Sequence, residues 1–114
     1  LMDIVGSDID FSQLTPIGSR SVDHNFCVAA ARGAVQRVAR LVSPRSGVTM
    51  TVETTEPGLQ VYTGDHFTRS PARAGIALET QAWPDAPNQP GFPNAILRPD
   101  EVYHSTTRYR FDPI

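Results

Sequence analysis

The sequence lacks the features that would place it at a membrane or outside the cell. No apolar run approaches the roughly 20 residues that a membrane-spanning helix needs. The opening residues, Leu1 to Ile4, lack the basic and apolar regions of a signal peptide. The single cysteine, Cys27, can form no disulfide within the chain, and no Asn-x-Ser/Thr acceptor is present. These absences predict a cytoplasmic protein without a membrane partner.

An excess of positive charge is also missing. The chain has 10 basic and 12 acidic residues, spread along its length, and a formal net charge of −2. Proteins that bind phosphate backbones present a basic stripe or patch, so no nucleic-acid partner is expected. The three histidines, His24, His66 and His104, lie too far apart along the chain to give a local metal-ligand spacing. No bound metal is expected either.

The length of the chain limits it to one domain. Its 114 residues fall in the usual range of about 100 to 150 for a single domain. A folded chain of this size hides roughly two-thirds of the surface that its unfolded form exposes, which leaves its stability marginal. Contacts with another segment or subunit would therefore matter for its stability.

Apolar residues recur mostly with a period of two, which predicts half-buried β-strands. Val48, Met50 and Val52 alternate with polar residues in a stretch rich in β-branched side chains. A four-residue loop over 44–47 joins this stretch to the apolar residues of 39–43. The pattern predicts a β-hairpin.

A helical pattern fits at one place only, where Val35, Val38, Ala39 and Val42 could share a stripe. Five prolines between positions 84 and 99 remove too many N–H donors for a helix or a central strand, and they predict a long loop. We therefore expect an all-β, antiparallel chain with almost no helix. Besides the hairpin, its expected strands cover residues 25–29, 59–63, 76–80 and 102–111.

Three polar residues stand out in or beside these expected strands. Glu79 lies on the face opposite Ile76 and Leu78, away from the apolar side. Gln60 has both a donor and an acceptor for a hydroxyl group. Asp23 precedes a strand. From alternation alone, Glu79 is a solvated strand carboxylate and Asp23 is a turn residue.

Four stretches, in this order, carry a resemblance to a known family. They are residues 22–26 (VDHNF), 56–64 (EPGLQVYTG), 78–81 (LETQ) and 84–90 (PDAPNQP). In order and spacing they resemble the motifs of the aldose 1-epimerase family, of the galactose mutarotase type. Residues 10–11 and 15–18 resemble the segment before the first motif, so the resemblance covers nearly the whole chain. Any one motif would be weak, whereas four in order are specific.

The resemblance implies a large antiparallel β-sandwich whose concave face holds a free hexose such as galactose or glucose. Residues 1–114 would form the C-terminal segment of that single domain. The implied reaction interconverts the α and β anomers of the sugar without a cofactor. A base removes the proton of the anomeric hydroxyl while an acid protonates the ring oxygen, and the ring then opens, rotates and closes.

By position in the motifs, the resemblance implies Glu79 as the catalytic base, with Asp23 and Gln60 binding the sugar. The family's acid histidine, and a second histidine that binds substrate, belong to segments upstream of those matched here. His24 lies inside the first motif, residues 22–26, beside Asp23, and does not replace these histidines. The chain alone is therefore expected to be incomplete, and to pair with a complementary N-terminal segment or to self-associate.

Two other functions remain open from the sequence. A non-catalytic carbohydrate-binding or structural β-module would keep the sugar-binding wall without the reaction. An epimerase acting on hexose 6-phosphates would need a basic pocket, for which Arg69, Arg73 and Arg98 are the loop arginines near the motifs.

The remaining aromatic, sulfur-containing and imidazole side chains have simpler interpretations. Trp83 and Tyr62 could stack on a sugar ring, but aromatic residues in a small β protein more often serve in packing. Cys27 is expected to be a small buried hydrophobe. His66 and His104 are expected at the surface or in loops.

Overall fold

The computed structural model describes residues 1–114 and contains six β-strands, one 3₁₀ turn and no α-helix. None of its helical residues forms a segment with the length and hydropathy of a membrane span. All strand pairs are antiparallel, so the prediction of an all-β, antiparallel chain is confirmed. The elements are β1 (Asp23–Cys27), β2 (Gln36–Ser43), β3 (Val48–Thr54), β4 (Gly58–Tyr62), β5 (Ala77–Gln81), the 3₁₀ turn (Ala86–Asn88) and β6 (Thr107–Pro113).

A β-bulge explains why part of β2 resembles a helix in sequence. β2 pairs with β3 as the predicted hairpin, but the register shifts between Arg37 and Ala39 and leaves Val38 without a partner. The extra residue puts Arg37 and Arg40 on the same side of the strand, opposite Glu53 and Thr51. A spacing of three on one side is typical of a helix, so the bulge accounts for the ambiguity.

The six strands form two three-stranded sheets that face each other. The first sheet has the order β1-β4-β5 and the second the order β2-β3-β6. The hydroxyls of Thr80 and Thr107 lie 2.6 Å apart across the gap, and the Tyr109 hydroxyl donates to the Leu78 carbonyl at 2.9 Å. The arrangement is a small antiparallel β-sandwich.

The interior between the sheets is only partly filled. The buried hydrophobic residues are Val22, Val52, Leu59 and Ala86. A cavity of about 1020 Å³, lined mainly by apolar side chains, opens between the sheets. Apolar side chains elsewhere stay uncovered, such as Phe111 at 63% exposure. Residues 1–114 therefore leave much apolar surface without a packing partner.

Most strand predictions are confirmed, but the last strand begins later than its alternation predicts. β4 and β5 match the strands expected over 59–63 and 76–80. The pattern over 102–111 predicts one strand, whereas β6 begins only at Thr107. Before it, the Tyr103 hydroxyl donates to Glu56 at 2.9 Å, so this segment lies against the β3–β4 turn instead of pairing in a sheet.

The first strand is displaced in the other direction. Residues 25–29 are the expected range, but β1 ends at Cys27. The N–H groups of Val28 and Ala29 both donate to the Pro57 carbonyl, at 2.9 and 3.1 Å. The shared acceptor ends the regular pairing of β1 with β4.

The proline-rich segment 84–99 forms a loop, as predicted, and residues 86–88 within it make one short 3₁₀ turn that the sequence did not predict. Asp85 precedes the turn with a left-handed φ of 61°, and its carboxylate accepts hydrogen bonds from the side chains of Asn88 and Gln89 at 2.6 and 2.8 Å. The bonds from Gln89 and Asn88 lower the pKa of Asp85. The ring of Phe92 packs edge-on against Trp83, with 5.0 Å between centroids.

Cys27 is exposed, so the prediction of a buried cysteine is wrong. Phe26 pairs with Leu59 on the inner side of the first sheet, and alternation therefore turns Cys27 outward. Nothing in residues 1–114 covers that outer side. Alternation alone gives the two sides of a strand but not which of them is covered.

Candidate active site

The first sheet presents a polar face away from the second sheet. Alternation turns Leu59, Val61 and Leu78 toward the interior and their strand neighbours outward. The strand register aligns the outward residues in three rows across the sheet. The rows are Asp23, Tyr62 and Ala77; Asn25, Gln60 and Glu79; and Cys27, Gly58 and Gln81. This nine-residue surface is the polar face.

Glu79 lies in the middle row, on β5, directly opposite Gln60. Its side chain is exposed and belongs to no ion pair. The amides of the neighbouring glutamines donate to other residues instead. A carboxylate in this position can accept a proton from a hydroxyl of a bound molecule, which is the geometric requirement for a general base.

Gln60 and Asp23 form a hydrogen-bonded pair beside Glu79. The Gln60 Nε2 donates to Asp23 Oδ1 at 2.7 Å. Asp23 lies within β1 and not in a turn, contrary to its interpretation from alternation alone. The bond leaves the Gln60 side-chain oxygen and the second Asp23 oxygen as acceptors for hydroxyl groups. The structure thus brings together the three residues that the sequence singled out.

Asn25, Gly58 and Gln81 also belong to the polar face, and the sequence did not single them out. The Gln81 Nε2 donates to Asn25 Oδ1 at 3.2 Å, although the two residues lie on the outer strands of the sheet. Their side chains meet over Gly58 of the central strand. The signal in the sequence was the period-two spacing, which puts Asn25 with Asp23 and Gln81 with Glu79.

Tyr62 on the polar face and Trp83 just after β5 both have packing partners, as expected. The Tyr62 ring lies edge-on to Phe67 with 5.7 Å between centroids, and its hydroxyl accepts the His66 backbone N–H at 2.7 Å. The Trp83 indole N–H donates to the Pro57 carbonyl at 2.8 Å. These contacts fix both rings within the protein.

None of the three histidines lies on the polar face. His24 alternates with Asp23 and Asn25 and points to the opposite side of β1. His66 and His104 are exposed and lie outside the strands, as expected. No group of three His, Cys, Asp or Glu side chains is placed to hold a metal ion.

Of the three loop arginines considered as phosphate ligands, Arg73 already binds groups within the protein. The Arg73 guanidinium donates to the backbone oxygens of Gly18 and Arg20, at 2.7 and 2.9 Å, and to Asp65 Oδ1 at 2.9 Å. Its partners are all internal. Arg69 and Arg98 are exposed. The structure therefore gives no support to a built pocket for a sugar phosphate.

A second carboxylate, Glu56, lies buried in the turn before β4 with 1% of its side chain exposed. Arg32 donates to both of its oxygens, at 2.9 and 3.0 Å, and the Tyr103 hydroxyl donates to Oε1. Burial acts to raise the pKa of Glu56, but hydrogen bonds from Arg32, Ser105 and Tyr103 outweigh it and lower the pKa. All of these donors are internal, so the arrangement is structural. The sequence had indicated only a turn at this point.

Comparison with known proteins decides the family. The family model described as aldose 1-epimerase matches residues 1–110. The chain belongs to the aldose 1-epimerase family. The resemblance carried by the four motifs is confirmed. Galactose mutarotase of Mus musculus is 42% identical over 98 residues, and that of Homo sapiens is 42% identical over 100 residues. Aldose 1-epimerase of Escherichia coli (strain K12) is 31% identical over 132 residues.

These relatives are much longer than this family member. The matches to the mouse and human proteins cover 78% of this chain and 28% of each relative. The match to the Escherichia coli protein covers 97% of this chain and 38% of that relative. The names of the relatives therefore describe the activities of proteins with a large additional part.

Proposed function

We propose that this chain forms part of an aldose 1-epimerase that interconverts the α and β anomers of free hexoses such as galactose and glucose. One observation carries the proposal: the polar face sets the free carboxylate of Glu79 opposite Gln60, which is bonded to Asp23. Membership of the family supports the class of reaction. The proposed chemistry is proton transfer alone, so it needs no cofactor.

Glu79 acts as the base that removes the proton of the anomeric hydroxyl. A positioned general base contributes roughly 10²–10⁴-fold in rate. Asp23 and Gln60 hold the sugar, because an ionised carboxylate forms strong hydrogen bonds with hydroxyl groups and a side-chain amide can both donate and accept. Their mutual bond fixes both acceptors beside the base.

The acid that protonates the ring oxygen comes from residues other than 1–114. Ring opening needs this proton as the anomeric proton leaves, and Glu79 cannot serve efficiently in both roles. No histidine shares the polar face with Glu79. Residues 1–114 then form the C-terminal segment of a single epimerase domain, and an upstream segment supplies the histidines. The open interior and the small share of the relatives' length support this division.

Polarimetry of glucose and galactose mutarotation tests the proposal. Purified residues 1–114 should show little or no activity, since catalytic groups that act as a unit are strongly non-additive. Activity should appear when the chain is joined to the upstream segment of Escherichia coli aldose 1-epimerase. Robust turnover by the chain alone, with host enzyme excluded, would contradict the absence of the acid from residues 1–114 and would point first to His66 or His104.

A sugar titration of the joined protein separates the enzyme from a carbohydrate-binding module. Binding of galactose together with mutarotation supports the enzyme. Binding without mutarotation would instead support the module. The cytoplasmic location expected from the sequence stays a prediction.

A further inference from the structure

Two glutamines flank Glu79, and the amide of each donates to another residue. Gln60 lies directly opposite Glu79, and Gln81 lies two residues further along the same side of β5. The Gln60 Nε2 donates to Asp23 at 2.7 Å, and the Gln81 Nε2 donates to Asn25 at 3.2 Å. Each amide therefore donates to a residue of β1, and the bond from Gln81 crosses the central strand to reach it.

The bond between Gln81 and Asn25 depends on the absence of a side chain at position 58. The two residues lie on the outer strands of the three-stranded sheet, so their bond has to pass over β4. A Cβ at Gly58 would lie 2.7 Å from Asn25 Oδ1, 3.0 Å from the backbone oxygen of Gln81 and 3.2 Å from Asn25 Nδ2. The distance of 2.7 Å is shorter than the contacts that real Cβ atoms make. Gly58 has no positive φ, so it is space above the strand that requires glycine.

The Gln81 amide could otherwise reach Glu79. Residues two apart on one side of a strand are separated by about 6.6 Å. The Gln and Glu side chains are both long enough to close this distance. An amide that donates to a carboxylate stabilises its charged form, and a carboxylate held this way is a weaker base.

We propose that Asn25 is a positioning residue that, with the space over Gly58, holds the Gln81 amide away from Glu79 and keeps this carboxylate free. The inference rests on the proposed role of Glu79 as the base. In this role Asn25 acts through Gln81 and not on the sugar or the reacting proton. Asp23 has the same effect on Gln60, but it also belongs to the sugar-binding group and is less suited to a test.

The test compares Asn25→Ala, Gln81→Ala and the double variant in the form of the protein that shows turnover, residues 1–114 alone or joined to the upstream segment. In Asn25→Ala the freed Gln81 amide should bind Glu79, and kcat should fall about tenfold with KM within about threefold, the scale of one charge-assisted hydrogen bond. Gln81→Ala should stay within about threefold of the parent. The double variant should recover to the level of Gln81→Ala, because the competing amide is gone.

Two results would overturn the positioning role. If the Asn25–Gln81 bond only stabilises the fold, both single variants lose activity equally and the double variant shows no recovery. If Asn25 instead contacts the sugar, KM rises in Asn25→Ala and stays raised in the double variant. A crystal structure of Asn25→Ala gives a readout besides activity, with Gln81 Nε2 expected within hydrogen-bond distance of a Glu79 oxygen.

Gly58→Ala provides an independent variant, and Glu79→Gln separates this inference from the proposed function. The added methyl group should displace Asn25 and reproduce the loss seen in Asn25→Ala, with recovery when Gln81→Ala is added. If Gly58→Ala does not fold, the Asn25 variants still decide. Loss of activity in Glu79→Gln with no change in Asn25→Ala overturns the positioning role alone. Near-normal turnover in Glu79→Gln overturns the proposed function.

Discussion

Glu56, just before β4, and Glu79, on the neighbouring strand β5, have opposite surroundings. Glu56 is 1% exposed and accepts hydrogen bonds from Arg32 and Tyr103. Glu79 is exposed and lies opposite an uncharged glutamine whose amide bonds elsewhere. One carboxylate has its acceptor positions filled from within the protein, and the other has them open.

The difference shows that a perturbed pKa and availability for chemistry are separate properties. Buried groups with shifted pKa values are good candidates for functional sites, and Glu56 meets that criterion. Structural ion pairs shift pKa values as well. In Glu56 the donors that lower the pKa also occupy the oxygens that a substrate would have to reach. The open carboxylate is the better candidate for proton transfer.

The largest effect is expected on stability, from Glu56→Gln. The change leaves the Arg32 guanidinium without its ionic partner, and breaking a buried pair costs about 3–5 kcal/mol. Arg32 keeps 31% of its side chain exposed, so we expect about 3 kcal/mol, the lower end of that range. Urea unfolding followed by circular dichroism measures it. Asp112→Asn is the matched control, because its pair with Arg110 is exposed and worth less than about 1 kcal/mol. Equal losses of unfolding free energy in the two variants would contradict a larger contribution from the buried pair.

The next effect is on rate, from Glu79→Gln in an active form of the protein. Mutarotation should fall by about 10²-fold or more while sugar binding stays within a few-fold, as for a lost general base. Glu53→Gln is the control, since Glu53 of β3 lies opposite Arg37 and Arg108 in the second sheet, away from the polar face. Its turnover should match the parent. A comparable fall in both variants would remove Glu79 from the mechanism.

The smallest effect concerns the pH dependence of stability. The folded pKa of Glu56 is lowered from 4.5, so its contribution is fully present above that value and is lost as the pH falls toward the folded pKa. The parent should therefore lose its advantage over Glu56→Gln below pH 4.5, with a slope of at most about 1.4 kcal/mol per pH unit for one proton. Urea titrations of both proteins between pH 7 and pH 3 measure it. An advantage that is constant with pH would mean that the charge of Glu56 contributes nothing.

The strands of this fold were predictable from local pattern, and its irregular parts were not. Alternation gave the hairpin of β2 and β3, and proline spacing gave the loop over 84–99. The late start of β6 depends on the bond between Tyr103 and Glu56, which are 47 positions apart. No local pattern encodes such a contact. The exposure of Cys27 escaped prediction because coverage of a strand is a property of the whole assembly.

The candidate site was predictable only in part for a similar reason. The motifs indicated Asp23, Gln60 and Glu79, and the strand register brings them onto one face. The Asn25–Gln81 bond joins strands that are not neighbours, so neither alternation nor pairing predicts it. In the sequence, Gly58 is typical of a turn. In the structure, the Asn25 side chain lies so close to Gly58 that a Cβ at this position would not fit.

If a complementary segment fills the open interior, the stability of residues 1–114 depends on the concentration of that segment. A partner that binds only the folded chain adds RT ln(1 + [L]/Kd) to the free energy of unfolding, about 2.7 kcal/mol at 100 times Kd. The segment would bind in the cavity of about 1020 Å³ between the sheets. The thermal midpoint of residues 1–114 would then rise with each increase in free segment, long after the complex is saturated.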